Sequence, residues 1–503
     1  MISPVPEPQQ KVSPLMNFTD LCNALKGRRI SPAGKIPPGN AGFSSVSIDS
    51  RTVKPGALFA ALSGSVQDGH RYAEAAFKAG AVCALVDESK LEDRGLNLVE
   101  TAARYGAELV AVTDTLRGLQ DAARAYLEKF PDLKKIGITG SAGKTTTKEI
   151  AAAMLGREKQ VVMNRGNLNS ETGLPLSVFE VRPHHEIGIF ELGMNRRGEI
   201  AELARVLKPD FALITNIGSA HIGILGSKRA IAEEKKNIFA EFSGGEIALI
   251  PADDEYRDFL ARDVKGLVRF YGSGPQSSAL SGGMAEPESL RDLGLKGTEI
   301  VWAGEKVCFS LPGKHNLRNA LAAAAIAREV PVSDRAIREG LAAVKPLFGR
   351  SEIIEGRVTV IQDCYNANPE SAAEALDFCD DLEYPGRKIY VIGSMLELGD
   401  ASEEAHRELG QRLASSSADQ VFLYGRETEA AAAVMETASS GFNDAPGQVP
   451  FFHTNSMDGL SRALEDFVED GDLVLLKGSR GCALERLTAA LAAGETAAVK
   501  GAV

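Results

Sequence analysis

The stretch of this chain best suited to chemistry is Thr139-Gly140-Ser141-Ala142-Gly143-Lys144-Thr145-Thr146-Thr147. The apolar run Ile136-Gly137-Ile138 leads into it, and a helical pattern through Ile150, Met154 and Leu155 leaves it. That order reads as strand, phosphate loop, helix. Glycines at 140 and 143 can take positive φ, which lets successive backbone N–H groups converge on an anion. The new helix adds the positive end of its dipole. In the general pattern G-x-x-x-x-G-K-[ST] the lysine reaches the outer phosphates and the hydroxyl faces Mg²⁺, which casts Lys144 and Thr145 in those roles. Gly140, Ser141, Ala142, Gly143 and Thr146 would complete the cradle. The first glycine of the pattern should fall at position 138, where this chain has Ile. The competing reading is a glycine turn followed by a solvated lysine.

Other candidates stand at strand ends. Ile187-Gly188-Ile189-Phe190 is a buried strand closing on Glu191, where a second-strand acid would hold Mg²⁺. His221 lies just past the strand Phe211 to Thr215, a position open to metal or phosphate contact. Ala230 to Phe239, with Glu233, Glu234, Lys235 and Lys236, reads alone as a solvated helix face. Asn316 and Asn319 stand one helical turn apart and can face one ligand, or Asn316 can cap the helix. Asp49-Ser50-Arg51 and Asp68-Gly69-His70 gather polar groups on loops after strands, and each reads equally well as an ordinary turn.

These residues need a scaffold of more than one core, because 503 residues exceed what a single core supports. Three regions are expected: 1–133, a small N-terminal α/β module; 134–345, a central P-loop-type ATPase domain; and 346–503, a C-terminal Rossmann-like, doubly wound domain. In the last, apolar runs at Val358–Gln362, Ile389–Ile392, Gln420–Tyr424 and Leu473–Leu476 alternate with helical stretches, which implies a mostly parallel sheet. Polar clusters sit at its strand exits: Asp363 with Tyr365-Asn366-Ala367-Asn368-Pro369, then Gly393 to Gly399, then Lys477-Gly478-Ser479-Arg480. Clusters at one sheet edge suggest a ligand crevice, and no G-x-G-x-x-G indicates a dinucleotide. Gly272 to Gly294 reads as an irregular excursion, and Met1 to about Ser13 as a disordered extension without the apolar core of a signal peptide.

The net charge of −12 argues against a general nucleic-acid binder and against an anionic membrane surface. No apolar run approaches the roughly 18 residues of a membrane span. The six cysteines lack C-x-x-C spacing, which suits reduced thiols in a cytosol and supplies no metal site.

Taken together, these motifs resemble the Mur ligase family of ATP-dependent peptidoglycan precursor enzymes, from about Ser47 to about Glu485. The family's loop resembles Thr139 to Thr145 and also lacks the first glycine, although Asn is more usual where Ala142 stands. Tyr365 to Ser371, Met395-Leu396-Glu397-Leu398-Gly399 and Lys477 to Arg480 are similar to the branch that adds a dipeptide. The resemblance implies ATP-dependent ligation of D-alanyl-D-alanine to UDP-N-acetylmuramoyl-tripeptide through an acyl phosphate, in a cytoplasmic monomer. It implies that Lys144, Glu191, His221 and Lys235 are catalytic. Mg²⁺ would be held by Thr145, Glu191, His221 and a carbamylated Lys235. Asn319, Arg350 and Asp363 would hold adenine, phosphate and ribose. Ser50, Arg51, Asp68 and His70 would meet the UDP-sugar, Asn167 and Asn169 the peptidyl substrate, and Tyr365, Asn368 and Ser371 the dipeptide and ATP. A family member with another amino substrate, or a nucleotide switch, are the alternatives.

Overall fold

A computed structural model describes residues 14–30, 41–64, 66–272, 287–440 and 449–492. The expected N-terminal extension lies outside these residues. Backbone contacts divide the chain into two compact units: 1–135 with 162–194 and 201–209, and 136–161 with 195–200 and 210–503.

The first unit is built on a five-stranded sheet in the order Arg28–Ile30, Glu108–Val112, Cys83–Asp87, Ala57–Ala60, Ser45–Ser47. All neighbours are parallel except the antiparallel edge strand Arg28–Ile30. Phe59, Ala84, Val86 and Leu109 pack with Phe77, Leu98 and Ala102 from two helices into one core. The helix Thr115–Leu127 starts where the Asp114 side chain accepts from the Arg117 N–H. Tyr126 in its last turn donates its hydroxyl to the Val181 carbonyl at 2.7 Å, which satisfies a phenol that would otherwise be buried unpaired. The strand Ile187–Glu191 is buried at every position.

In the second unit, parallel strands run in the order Leu267–Tyr271, Ile247–Pro251, Phe211–Ile214, Lys134–Thr139. Lys144–Leu155 follows the last of these directly and packs against the helices Lys314–Glu329 and Asp334–Ala343. Gly340 permits the close approach, since a Cβ there would lie 2.4 Å from the Met154 Cα. Ser289–Asp292, Thr298–Trp302 and Glu305–Phe309 form an antiparallel sheet. Within the expected excursion Ser289–Asp292 is a strand, and 273–286 lie outside the described residues.

The same unit carries a six-stranded sheet ordered Glu352–Glu355, Thr359–Asp363, Leu473–Lys477, Lys388–Gly393, Gln420–Tyr424, Phe451–Thr454. Only the first pair is antiparallel. Alternate residues feed two cores. Ile361, Tyr390, Ile392, Val421 and Leu423 meet helices Pro369–Asp381, Ser402–Ala414 and Glu429–Ser440. Val360, Ile389, Val391, Phe422 and Val474 meet Leu460, Leu464, Leu484 and Leu487 on the other face. Each such fully buried aliphatic side chain contributes about 1.5–3 kcal/mol. The doubly wound architecture expected for this region is what the sheet shows. Because the five strands after the first are parallel, their polar exits share one edge.

Candidate functional site

The strand Lys134–Thr139 stops where Gly140 (φ 152°) and Gly143 (φ 78°) turn the chain, and Gly143 is the N-cap of the helix Lys144–Leu155. Neither glycine has room for a side chain. A Cβ at 140 would lie 1.7 Å from Thr215 Oγ1, and one at 143 would lie 2.1 Å from Asn319 Oδ1. The loop is braced by the segment after the Phe211–Ile214 strand. Ser141 N–H donates to the Asn216 carbonyl at 3.0 Å, and Ala142 N–H to Asn216 Oδ1 at 3.0 Å. Thr215 Oγ1 donates to the Ala142 carbonyl, and Ser141 Oγ and Gly218 bond each other in both directions at 2.8 and 3.2 Å. Sequence reasoning missed Thr215, Asn216 and Gly218. Their only signal was their place directly after a strand adjoining the loop.

Two ammonium groups converge on the loop. Lys144 Nζ donates to the Gly140 carbonyl at 2.8 Å, and Lys235 Nζ donates to the same oxygen at 2.9 Å. Lys235 is 1% exposed, which overturns the solvated-face reading of its helix. The neighbouring Glu234 explains the inward turn, because its carboxylate accepts the Gly198 and Ile200 N–H groups at 2.8 and 2.9 Å. His221 is mostly buried, with a left-handed backbone (φ 66°). Burial first, then Lys144 and Lys235, lowers its pKa to about 4. Its imidazole is therefore neutral at pH 7. Nδ1 is buried without a hydrogen-bond partner and lies 3.6 Å from Glu397 Oε2.

Around this centre, Thr147 Oγ1 donates to Asn319 Oδ1 at 3.4 Å, so Asn319 is held against the phosphate-loop helix. Asn316 instead donates to the Pro312 carbonyl at 2.8 Å, inside its own first turn. Thr146 is buried in the first turn after the loop. Arg350 donates to Thr145 Oγ1 at 3.1 Å, and its guanidinium lies 4.3 Å from the Tyr365 ring centroid. Asp363 accepts from Lys477 Nζ at 2.7 Å and from the Ser351 N–H at 3.1 Å. The three strand-exit clusters meet: Lys477 donates to the Asn366 carbonyl, Ser479 N–H to the Ser394 carbonyl, and Leu396 N–H to Ser479 Oγ.

Some expected ligand residues are engaged elsewhere. Asn368 and Ser371 form a capping box at the start of Pro369–Asp381, with bonds of 2.8 and 3.1 Å. Their side chains hold the helix end and not an open site. The sequence Asn-Pro-x-Ser, with proline at the first helical position, is a capping signal in its own right. In the first unit, His70 is 1% exposed, with Nδ1 2.6 Å from Asp68 Oδ1 and Nε2 accepting the Asp87 N–H at 2.8 Å. Asp68 also pairs with Lys90 at 3.1 Å. With both ring nitrogens used internally, His70 is structural, and Asp68 serves it. Arg51 is exposed and forks onto Asp49, while Ser50 is half-buried beside it. Glu191 is 3% exposed and accepts from Asn169 Nδ2 at 2.7 Å, and its backbone exchanges hydrogen bonds with Asn164. Asn167 is exposed, and its carbonyl accepts the Asn169 N–H.

The donor set suits a polyphosphate: a helix N-terminus, a glycine cradle that a Cβ would fill, and two ammoniums at one carbonyl. It also holds what a hard cation requires, a hydroxyl at Thr145 and a neutral imidazole with a bare buried nitrogen at His221. The carboxylate at Glu191 belongs to the other unit. As an ammonium, Lys235 is a donor only. Among the described residues, no group of three His, Cys, Asp or Glu could hold a metal alone.

His315 gives a pH prediction. It is buried, with Nε2 3.0 Å from Ser351 Oγ and Nδ1 unpartnered. Burial, opposed by Asp363 and assisted by Lys477 and Arg318, lowers its pKa to about 4. The folded state therefore binds fewer protons than the unfolded state between pH 6.5 and about 4. This contribution is present above pH 6.5 and is lost as pH falls through that window. His315→Gln should flatten the acid limb by up to about one proton, roughly 1.4 kcal/mol per pH unit. Denaturant midpoints across that range test this, and an unchanged slope contradicts it.

A loop of this shape, at the end of a parallel strand and opening onto a helix, defines an α/β nucleotide-binding protein. Comparison with known proteins narrows the class. The family description "Mur ligase family, catalytic domain" matches residues 43–129, "Mur ligase middle domain" 138–327, and "Mur ligase, glutamate ligase domain" 349–480. The chain is 44% identical over 473 residues to UDP-N-acetylmuramoyl-tripeptide–D-alanyl-D-alanine ligase of Treponema pallidum, covering 94% of this chain and 98% of that one. The ligase of that name from Bacillus subtilis is 34% identical, with 88% and 92% covered. MurF from Acinetobacter baumannii superposes with a TM-score of 0.80 at 28% identity, covering 94% and 98%. MurF ligase from Thermotoga maritima in complex with ADP superposes at 0.72 and 28%, covering 89% and 96%. The chain belongs to the Mur ligase family, with its three-domain α/β architecture.

Proposed function

We propose that this protein joins D-alanyl-D-alanine to UDP-N-acetylmuramoyl-tripeptide at the expense of ATP. The observation that carries this reading is the near full-length 44% identity to a ligase of that name. The braced phosphate loop supports it. Residues 134–345 bind ATP, 346–503 present the dipeptide, and 1–133 hold the UDP-sugar end, with Ser50 and Arg51 the candidates there. The tripeptide carboxylate attacks the γ-phosphorus as the bond to ADP breaks. The dipeptide amine then attacks the acyl phosphate carbon, phosphate leaves, and the amine nitrogen gives up a proton. Two anions must meet in the first step, so charge neutralisation is the main task. Lys144 and the first-turn amides supply it at the outer phosphates. Asn319 and Asp363 orient the nucleoside, and Arg350 faces the phosphates. Mg²⁺, which Thr145, His221 and a carbamylated Lys235 would hold, would supply further neutralisation of phosphate charge. Carbamylation turns the Lys235 ammonium into an anionic oxygen ligand. Among the described residues no helix is long and apolar enough to cross a membrane, and the reading takes the enzyme to act in the cytoplasm as a monomer.

Phosphate release is the test. It should require ATP, the UDP-sugar tripeptide and D-alanyl-D-alanine together. Equal release with a single amino acid in place of the dipeptide would reassign the protein within its family. Release independent of both acceptors would end the ligase reading.

A further inference from the structure

The helix Pro369–Asp381 lies against the nucleotide-binding part of its unit along one acidic stripe. Glu370, Glu374 and Asp381 share a helical face, and each meets a partner there. Lys314–Asp381 and Arg318–Glu374 are single ion pairs at 2.9 Å with largely exposed lysine and arginine, a kind that commonly contributes little. Glu370 is different. Both its carboxylate oxygens accept the Ser219 N–H, at 2.9 and 3.0 Å, and one also accepts Ser219 Oγ–H at 2.7 Å. Lys228 Nζ is 3.1 Å away. Burial would raise the pKa of this carboxyl, but the Ser219 hydrogen bonds and Lys228 bring it below the usual value.

What Glu370 grips matters more than the number of bonds. Ser219 follows Gly218, whose backbone exchanges hydrogen bonds with Ser141 of the phosphate loop. A Cβ on Gly218 would come within 3.0 Å of the Glu370 carboxylate, so the bare glycine leaves the carboxylate its seat. Lys228 opens the helix Lys228–Lys236, which carries Lys235. One carboxylate from the C-terminal sheet region thus holds both the loop that braces the phosphate cradle and the helix that carries the buried lysine. A second contact lies alongside, where Gly223 packs against the backbone of Leu398 and Gly399.

We propose that Glu370 is a positioning residue for the ligation: it latches the dipeptide-presenting region onto the phosphate-loop brace, so that the amine is held in line with the activated carboxyl. The latch touches no reacting atom. It acts through Ser219 and Gly218, and it rests on the functional reading above for what it aligns.

The experiment compares wild type, Glu370→Ala, Glu370→Gln, Ser219→Ala and the Glu370→Ala/Ser219→Ala double variant. With all three substrates, kcat of Glu370→Ala should fall about 10- to 100-fold, the scale of misplaced reacting groups. Binding of a fluorescent ADP analogue should stay within about twofold, because the cradle itself is untouched. Glu370→Gln keeps one acceptor oxygen for Ser219 and should lose less. The double variant should be no worse than Glu370→Ala, since the hydroxyl bond that Ser219→Ala removes is one Glu370→Ala has already removed. Hydrogen exchange of the peptide containing Ser219 should quicken in Glu370→Ala with or without substrates. Unchanged kcat, additive losses, equal loss of ADP binding or unchanged exchange at Ser219 would each overturn the latch. If Glu370→Ala does not fold, Glu370→Gln carries the same comparisons. Wild-type protein inactive with these substrates would defeat the functional reading instead, and the exchange measurement would still decide the latch.

Discussion

Lys144→Ala should lower phosphate release about 100- to 1,000-fold while the protein stays folded. The expected loss follows from what the side chain does. Its ammonium is held over the first carbonyl of the glycine turn, 2.8 Å from Gly140 O, at the mouth of the helix N-terminus. No apolar core depends on it. Removing one donor aimed at developing negative charge commonly costs about 3–4 kcal/mol of barrier, whereas a half-exposed side chain costs little stability. Melting followed by circular dichroism should shift by only a few degrees, while the coupled phosphate assay should fall to background. Retained turnover in a folded Lys144→Ala protein would remove the phosphate-loop assignment.

Lys235→Ala should be comparably damaging, for a different reason. Lys235 is buried, and its loss leaves the Gly140 carbonyl with one donor fewer in a site screened from water. Chemical rescue separates the two forms the side chain can take. If it acts as a carbamate, short carboxylates should restore part of the lost rate, because they return an anionic oxygen. If it acts as an ammonium, short alkylammonium ions should restore it instead. Full activity without any additive would exclude both roles. The mass of the intact wild-type protein, measured under gentle conditions with dissolved carbon dioxide, gives an independent check.

Where the signals are local, sequence and structure agree closely. The glycine spacing at 140 and 143 needs positive φ at both positions, and both take it. Alternation of apolar runs and helices in the last region foretold a doubly wound sheet, because a parallel strand must be followed by a crossover. Two edge strands, Glu352–Glu355 and Phe451–Thr454, escaped notice because each is only four residues long and incompletely buried. Charged residues proved hardest to read. Glu234 and Lys235 look like a solvated face until the Gly198 and Ile200 amides and the Gly140 carbonyl supply partners, and those partners are about 35 and 95 residues away in sequence. The Glu191–Asn169 pair and the Glu370–Ser219 contact are likewise long-range, and nothing at either position alone announces them. His70 erred in the other direction. A polar loop motif suggested a ligand, while Asp68 and the Asp87 amide consume both of its nitrogens.

The single carbonyl shared by two lysines bears on how a nucleotide reaches this protein. A chain of net charge −12 repels a triphosphate at a distance. The Lys144 ammonium at Gly140 makes itself felt only within about one screening length, near 10 Å in dilute salt. Capture is thus a short-range event behind a long-range barrier. Added salt lowers the barrier more than it weakens the sheltered Lys144 contact, so association should quicken as ionic strength rises, the reverse of ordinary electrostatic steering.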